Sequence, residues 1–246
     1  MRAASASWRL DVHEELASTQ DIVLAAARAG EPEGLAVLAR RQSAGRGTQG
    51  RSWRSSGGNL HLSCLWRPSG LSRELPQWSL LAAVALADAV AAILPADAPL
   101  TLKWPNDLLL GGAKCAGILT EAVPDGAGGI SWLVFGIGVN LAEAPPLPDR
   151  PTACLAEAGI VPPDPVLFAE ALLASLDYWR ARQEVEGFTP LRAEWLRRGP
   201  APGSPLKIRA GGMDRHGIFA GLASDGRLLL ELPEGSMALI SGEILS

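Results

Sequence analysis

Apolar positions recur with period two over Arg9–Leu16, which predicts a strand. Ser18 stands where it can cap a helix over 19–29, with Asp21 in the first turn and Gly30 at the stop. A strand follows at 35–41, then a polar loop over 43–58. Alternation returns in Leu60–Trp66, where Leu60, Leu62, Cys64 and Trp66 share one face. The apolar stretch from Trp78 to Leu94, interrupted by Asp88, reads as part of a buried helix over 77–94 and is short for a membrane span. Asp107–Leu110 and 114–121 flank Gly111-Gly112, a hairpin signal. A turn over 124–129 leads to a strand over 130–140. Segments 166–186 and 189–198 are helical, and the proline- and glycine-rich 199–205 reads as a linker. Four short strands are expected beyond it, at 206–210, 215–222, 227–232 and 237–241, with Asp225-Gly226 as a hairpin turn.

These elements describe an α+β fold. Hairpins in place of regular βαβ alternation imply a mixed, largely antiparallel sheet with packed helices. The C-terminal strands imply a small β-barrel, marginal alone and obliged to pack on the rest. The expected division is 1–200 for the main domain and 203–246 for the small one.

Composition narrows the function. The chain has 246 residues, 48% hydrophobic and 20% charged, which is ordinary for a soluble globular protein. Three well-separated cysteines, Cys64, Cys115 and Cys154, form no C-x-x-C pair and fit a reducing cytoplasm. His13, His61 and His216 make no metal-ligand spacing. No nucleophile elbow, P-loop, signal peptide or membrane span is present. A net charge of −4 argues against a general nucleic-acid coat.

That net charge conceals an asymmetry. The 40 residues from Gly34 to Arg73 hold seven arginines and no acidic residue, so the remainder carries −11. The centre of the window is Gly45-Arg46-Gly47-Thr48-Gln49-Gly50-Arg51. Such a loop is either a solvated surface loop or an anion site, in which backbone N–H groups and guanidinium forks hold phosphate or carboxylate. Its G-x-G-x-x-G spacing is not a dinucleotide fingerprint. No helix follows, and no acidic residue stands about twenty positions on for a ribose.

The chain has 19 arginines but only three lysines: Lys103, Lys114 and Lys207. Two of them bracket Trp104-Pro105-Asn106-Asp107, a strand end broken by proline. Asn106 and Asp107 suit a base, a ribose or a hydrated Mg²⁺. Lys114 sits in the returning strand, either as an exposed hairpin lysine or as a point charge for a carboxylate or phosphate. Gly136 and Gly138, ending a strand before Asn140, leave room for a ligand or a neighbouring backbone.

Taken in order and spacing, these motifs resemble the biotin protein ligases (biotin–acetyl-CoA-carboxylase ligases). The resemblance rests on Ser18-Thr19 at a helix start, Arg41 to Gly47 with Gly50-Arg51-Ser52-Trp53, and Lys103 to Asp107. It continues through Lys114-x-x-Gly117-Ile118-Leu119-x-Glu121 and Gly136-x-Gly138-x-Asn140. It is strong over about 10–140 and looser beyond, through Gly217, Gly221, Gly226 and Gly242-Glu243. It implies a biotin/lipoate ligase-like catalytic domain with an SH3-like barrel. The activity implied is formation of biotinyl-5′-AMP from biotin and MgATP, then transfer of biotin to a lysine of the biotin carboxyl carrier protein.

The resemblance also implies roles. Ser18, Thr19, Gln20, Gln42, Gly45, Gly117 and Gly138 would line the biotin site. Arg46, Gly47, Thr48, Arg51, Trp53, Lys103, Asn106 and Asn140 would meet the adenylate, with Trp53 a wall for the adenine. Lys114 would neutralise both the biotin carboxylate and the α-phosphate, with Arg46 as its catalytic companion, and Asp107 would sit near a metal. Two positions depart from the pattern. Thr48 replaces the second arginine of a usual G-R-G-R-x-G-R loop, and Gln20 stands where Asn is usual. Some family members carry an N-terminal DNA-binding domain; here the motif begins too early for one, so a ligase without operator binding is expected. An edge strand leaves a homodimer open. A lipoate or octanoate ligase and a non-catalytic biotin-binding module are the alternatives.

Overall fold

The computed structural model describes residues 8–148 and 150–245. In chain order the elements are β1 (Arg9–Leu16), α1 (Thr19–Arg28), β2 (Leu35–Gln42), β3 (Leu60–Trp66), α2 (Leu75–Ala91), β4 (Leu100–Lys103), β5 (Asp107–Leu110), β6 (Ala113–Pro124) and β7 (Ile130–Val139). The helices α3 (Pro165–Glu186) and α4 (Phe188–Arg198) follow, then β8 (Pro205–Ala210), β9 (Met213–Leu222), β10 (Leu228–Leu232), β11 (Gly235–Leu239) and β12 (Glu243–Leu245).

Seven strands form a mixed sheet in the order β1-β2-β3-β7-β6-β5-β4. Only β1 and β2 run parallel; the other pairs are antiparallel. Gly111 and Gly112 both have positive φ (59° and 81°), the conformation a two-residue turn between β5 and β6 demands.

The parity of the strands assigns the two sheet faces. Leu60, Leu62, Cys64 and Trp66 of β3 lie in the main core with Phe135, Ile137 and Val139 of β7 and most of α2. Helix α2 is apolar all round because it is covered all round: twelve of its seventeen residues are buried. The charge inside that run, Asp88, accepts from Trp179 Nε1 at 2.6 Å and pairs with Arg198. Burial on β3 extends beyond the face of Leu60, Leu62, Cys64 and Trp66, for all seven of its residues are buried. On its second face Leu65 joins Val37, Trp132 and Val134 under Val23, Leu24 and Ala27 of α1. Helix α1 covers only part of that face. Towards β6 the sheet presents Gly117, Gly136 and Gly138, and a cleft opens there.

The C-terminal segment forms a second, wholly antiparallel sheet, β11-β10-β9-β8-β12. It has five strands where four were expected, β12 being the addition. Among the described residues no pairing joins its outer strands β11 and β12, so it is an open sheet rather than a closed barrel. As expected, it packs on the rest. Phe219, Leu222, Leu228 and Leu230 belong to the same core cluster as Leu191 and Trp195 of α4. Arg192 Nε donates to Leu222 O at 2.7 Å, and Gln77 Nε2 to Ser224 O at 2.9 Å. Among the described residues no helix is long and apolar enough to cross a membrane.

Candidate functional site

The cleft over the three glycines is narrow, with about 40 Å³ of space that a water could occupy. Its walls come from the start of α1, the end of β2, the arginine loop and strands β3, β6 and β7. The glycines are required by what lies above them. A Cβ on Gly138 would stand 2.4 Å from Trp53 Cε2, and one on Gly136 would stand 2.6 Å from Gln20 Oε1. A Cβ on Gly117 would meet Lys114 Nζ at 3.0 Å and the Trp53 ring at 3.3 Å.

One end of the cleft is a buried polar network. Thr19 donates to Gln42 Oε1 through its backbone N–H (2.8 Å) and its hydroxyl (3.2 Å). Thr19 Oγ1 lies 2.9 Å from Ser63 Oγ, and Ser63 Oγ donates to Gln20 Oε1 at 3.0 Å. Gln20 Nε2 donates to Glu121 Oε2 at 2.9 Å, and Glu121 in turn pairs with Arg46 at 3.1 Å. Arg46 also meets Asp21 at 2.7 Å. Ser18 occupies the N-cap of α1 with extended backbone, but its hydroxyl makes no capping bond. Instead Ser18 Oγ is buried without a partner, at the cleft wall.

The other end carries charge. Lys114 Nζ donates to Asp107 Oδ1 at 2.5 Å and lies 5.7 Å from the centroid of the Trp53 ring. Arg150 reaches the same carboxylate at 3.7 Å and Glu243 at 2.6 Å, and Arg51 reaches Glu243 at 2.9 Å. Asp107, expected beside a metal, is therefore committed to two cations. Among the described residues no group of three or more His, Cys, Asp or Glu could hold a metal ion.

The structure brings most of the expected site residues to this one place. Ser18, Thr19, Gln20, Gln42, Gly117 and Gly138 line the cleft, as do Arg46, Gly47, Thr48, Trp53, Asn106 and Lys114. Arg51 and Asn140 line an adjoining cleft with Thr48 and Lys114. Lys103 lies in a third recess, against β12, where burial pushes its ammonium below the ordinary lysine range and Asp107 opposes the shift. Gly45 falls outside the first cleft. It braces the loop, its carbonyl accepting from Trp53 N at 2.9 Å. Asn106 bonds Ile118 O at 2.6 Å and Asn140 bonds Ala153 O at 3.1 Å, so both side chains secure backbone as well as facing space.

Sequence reasoning missed His61, Ser63 and Arg150. The first two carried a signal: they are the polar positions of an otherwise apolar strand whose second face is also buried. The cysteines take no part. All three are free and buried, and burial pushes the Cys115 thiol up to about 12.

The Biotin/lipoate A/B protein ligase family pattern matches residues 13–140. The biotin–[acetyl-CoA-carboxylase] ligase of Paracoccus denitrificans is 39% identical over 219 residues, covering 85% of this chain and 88% of that protein. That of Mycobacterium tuberculosis is 32% identical over 250 residues, covering 98% and 91%. Among solved structures, the Aquifex aeolicus biotin protein ligase in complex with biotin and ATP superposes with a TM-score of 0.79. It is 27% identical and covers 96% of this chain and 97% of that one.

Proposed function

Because the chain belongs to the biotin/lipoate A/B protein ligase family, we propose that it is the ATP-dependent ligase that biotinylates the biotin carboxyl carrier protein of acetyl-CoA carboxylase. A carboxylate oxygen of biotin attacks the α-phosphorus of ATP, and pyrophosphate leaves. The ε-amine of one carrier-domain lysine then attacks the acyl carbon of biotinyl-5′-AMP, and AMP leaves. Both nucleophiles are substrate groups, so the enzyme supplies position and positive charge rather than a nucleophile of its own. This agrees with three buried, unreactive thiols.

The observation that carries the reading is the polarity of the cleft: a hydrogen-bonding end at Ser18, Thr19, Gln20 and Gln42, with Arg46 tied to its rim through Glu121 and Asp21, and a cationic end at Lys114. In this reading the first end takes the ureido head of biotin, and the Trp53 ring, which rests on Gly117 and Gly138, moves aside to admit its rings. The cationic end takes the carboxylate and α-phosphate. Thr48, Trp53, Asn106, Asn140 and Lys103 surround the nucleotide, while Arg51 stays with Glu243. Arg46 and Lys114 exchange their carboxylate partners for substrate oxygens as the loop closes. The residues present do not fit a protein-held metal, since among the described residues no group of three or more His, Cys, Asp or Glu could hold one; Mg²⁺ belongs to the nucleotide it accompanies.

The polar end also discriminates against lipoate or octanoate. An aliphatic or dithiolane tail would leave the Ser18 hydroxyl, which is buried without a partner, still unpaired, at a cost of about 1–3 kcal/mol. Mass spectrometry of a carrier domain incubated with enzyme, biotin and MgATP should show one added biotinyl group. Lipoate and octanoate should neither replace biotin nor compete with it. Transfer of lipoate in preference would overturn the reading, and absence of pyrophosphate release would mark a binding module. Lys114→Ala should slow adenylation by about a hundredfold, the usual effect of deleting a charge contact to the transition state. A rate within a few-fold of wild type would show that Lys114 does not meet the reacting groups.

A further inference from the structure

His61 is 1% exposed and stands on β3 opposite Gly138 of β7, on the sheet face that floors the cleft. It shares that strand and face with Ser63, which is bonded to both Thr19 and Gln20. Its Nδ1 lies 3.3 Å from the backbone carbonyl of Ala39. A carbonyl only accepts, so Nδ1 carries the hydrogen and Nε2 is a bare lone pair. Nε2 is buried and has no partner. Burial holds the ring neutral, with its pKa lowered to about 4, so Nε2 remains an acceptor at physiological pH.

Two amide oxygens that line the same cleft already accept hydrogen bonds. Gln42 Oε1 receives two bonds from Thr19, and Gln20 Oε1 receives one from Ser63. Ser18 Oγ and His61 Nε2 are the two unpartnered buried side-chain polar atoms that belong to residues lining this cleft, among the described residues. They differ in kind. A hydroxyl can donate or accept, whereas Nε2 of this tautomer can only accept.

We propose that His61 Nε2 is a specificity contact that accepts a hydrogen bond from a ureido N–H of biotin. The proposal rests on the ligase reading above and deepens it. A cyclic urea offers one carbonyl acceptor flanked by two N–H donors, and recognition requires an acceptor for the donors. A dithiolane or alkyl tail offers no donor and would leave the lone pair buried and unpaired, so His61 selects for the urea.

Two measurements test this. With ¹⁵N-labelled histidine in the wild-type enzyme, saturation with biotin should move the His61 Nε2 resonance upfield while Nδ1 stays protonated. Saturation with ATP alone should not. In calorimetry, His61→Phe, verified as folded by its thermal transition, should bind biotin about tenfold or more weakly, with ATP affinity within twofold. His61→Gln, which restores an acceptor, should recover part of the loss. Of the two cyclic-carbamate analogues, in which one ureido N–H is replaced by oxygen, one should be penalised in wild type but not in His61→Phe. An Nε2 resonance unmoved by biotin, or one moved by ATP instead, would overturn the proposal. So would a folded His61→Phe with unchanged biotin affinity. A folded wild-type enzyme that binds no biotin would overturn the ligase reading itself, and this proposal with it.

Discussion

Single residues in this site are set by what they may not be. Gly138 has no room for a methyl group because the Trp53 ring lies over it, and a methyl group on Gly136 would have to displace the Gln20 amide. His61 cannot be charged in the native state. Its pKa is lowered to about 4 from an ordinary 6.5, with burial as the larger cause and the Ala39 bond opposing it. The sign follows from proton binding. Between those two values the unfolded chain takes up a proton that the native ring refuses, so stability is complete above 6.5 and is lost as pH falls towards 4. The expected loss is about 2 kcal/mol by pH 5. Urea unfolding at pH 7 and pH 5 checks this. The drop in wild-type stability should exceed that of His61→Phe by about this amount, and equal drops would show that the ring titrates normally.

The arginine loop is the element in which sequence and structure together say more than either alone. Thr48 leaves the loop one cation short of the family pattern, and Arg51 and Arg54 are the neighbouring cations in the sequence. The structure directs both elsewhere: Arg51 to Glu243 at 2.9 Å, and Arg54 to the carbonyl of Pro146 at 3.3 Å. Thr48 itself faces both the first cleft and the adjoining one. The intermediate should therefore leak, and Thr48→Arg should slow release of biotinyl-5′-AMP about fivefold, the effect expected of one added charge-assisted bond. Trapping released adenylate during single-turnover reactions measures it; equal release rates would refute it. The loop was legible as an anion site because seven arginines without an acid is a composition signal. Its ties were not. Arg51 and Glu243 are separated by 192 positions, and no local spacing announces such a pair. The same limit applies to strands. Periodicity revealed β3 and β7, but β12, at three residues, shows too little of a period to be seen. His61 and Ser63 escaped for a different reason. Alternation assigns polar positions to solvent, and here the second face of the strand is buried under α1 and the cleft.

At the scale of the whole molecule the two sheets share one core. Phe219 of β9 is fully buried with its ring centroid 6.4 Å from that of Trp195 on α4, and both belong to the cluster that includes Cys64 and Cys115 of the large sheet. The hairpin at Gly226 seats against the start of α2, where a Cβ would stand 2.8 Å from Gln77 N. Glu243 of β12 holds Arg51 of the loop and Arg150 beside Lys114, so the small sheet also fixes one wall of the charged end of the site. A core continuous in this way should melt as one unit. Phe219→Ala removes a buried ring at a cost of about 3–5 kcal/mol, which for a chain of this size lowers Tm by roughly 10 °C. Cys64 and Cys115 lie far from the substitution in sequence and report on the large sheet, since their thiols are exposed only when it opens. In Phe219→Ala the temperature at which they react with a thiol reagent should fall in step with the calorimetric Tm. Thiols that stay protected to the wild-type temperature while the small sheet melts would show two cores instead of one, and would remove the small sheet from any part in shaping the site.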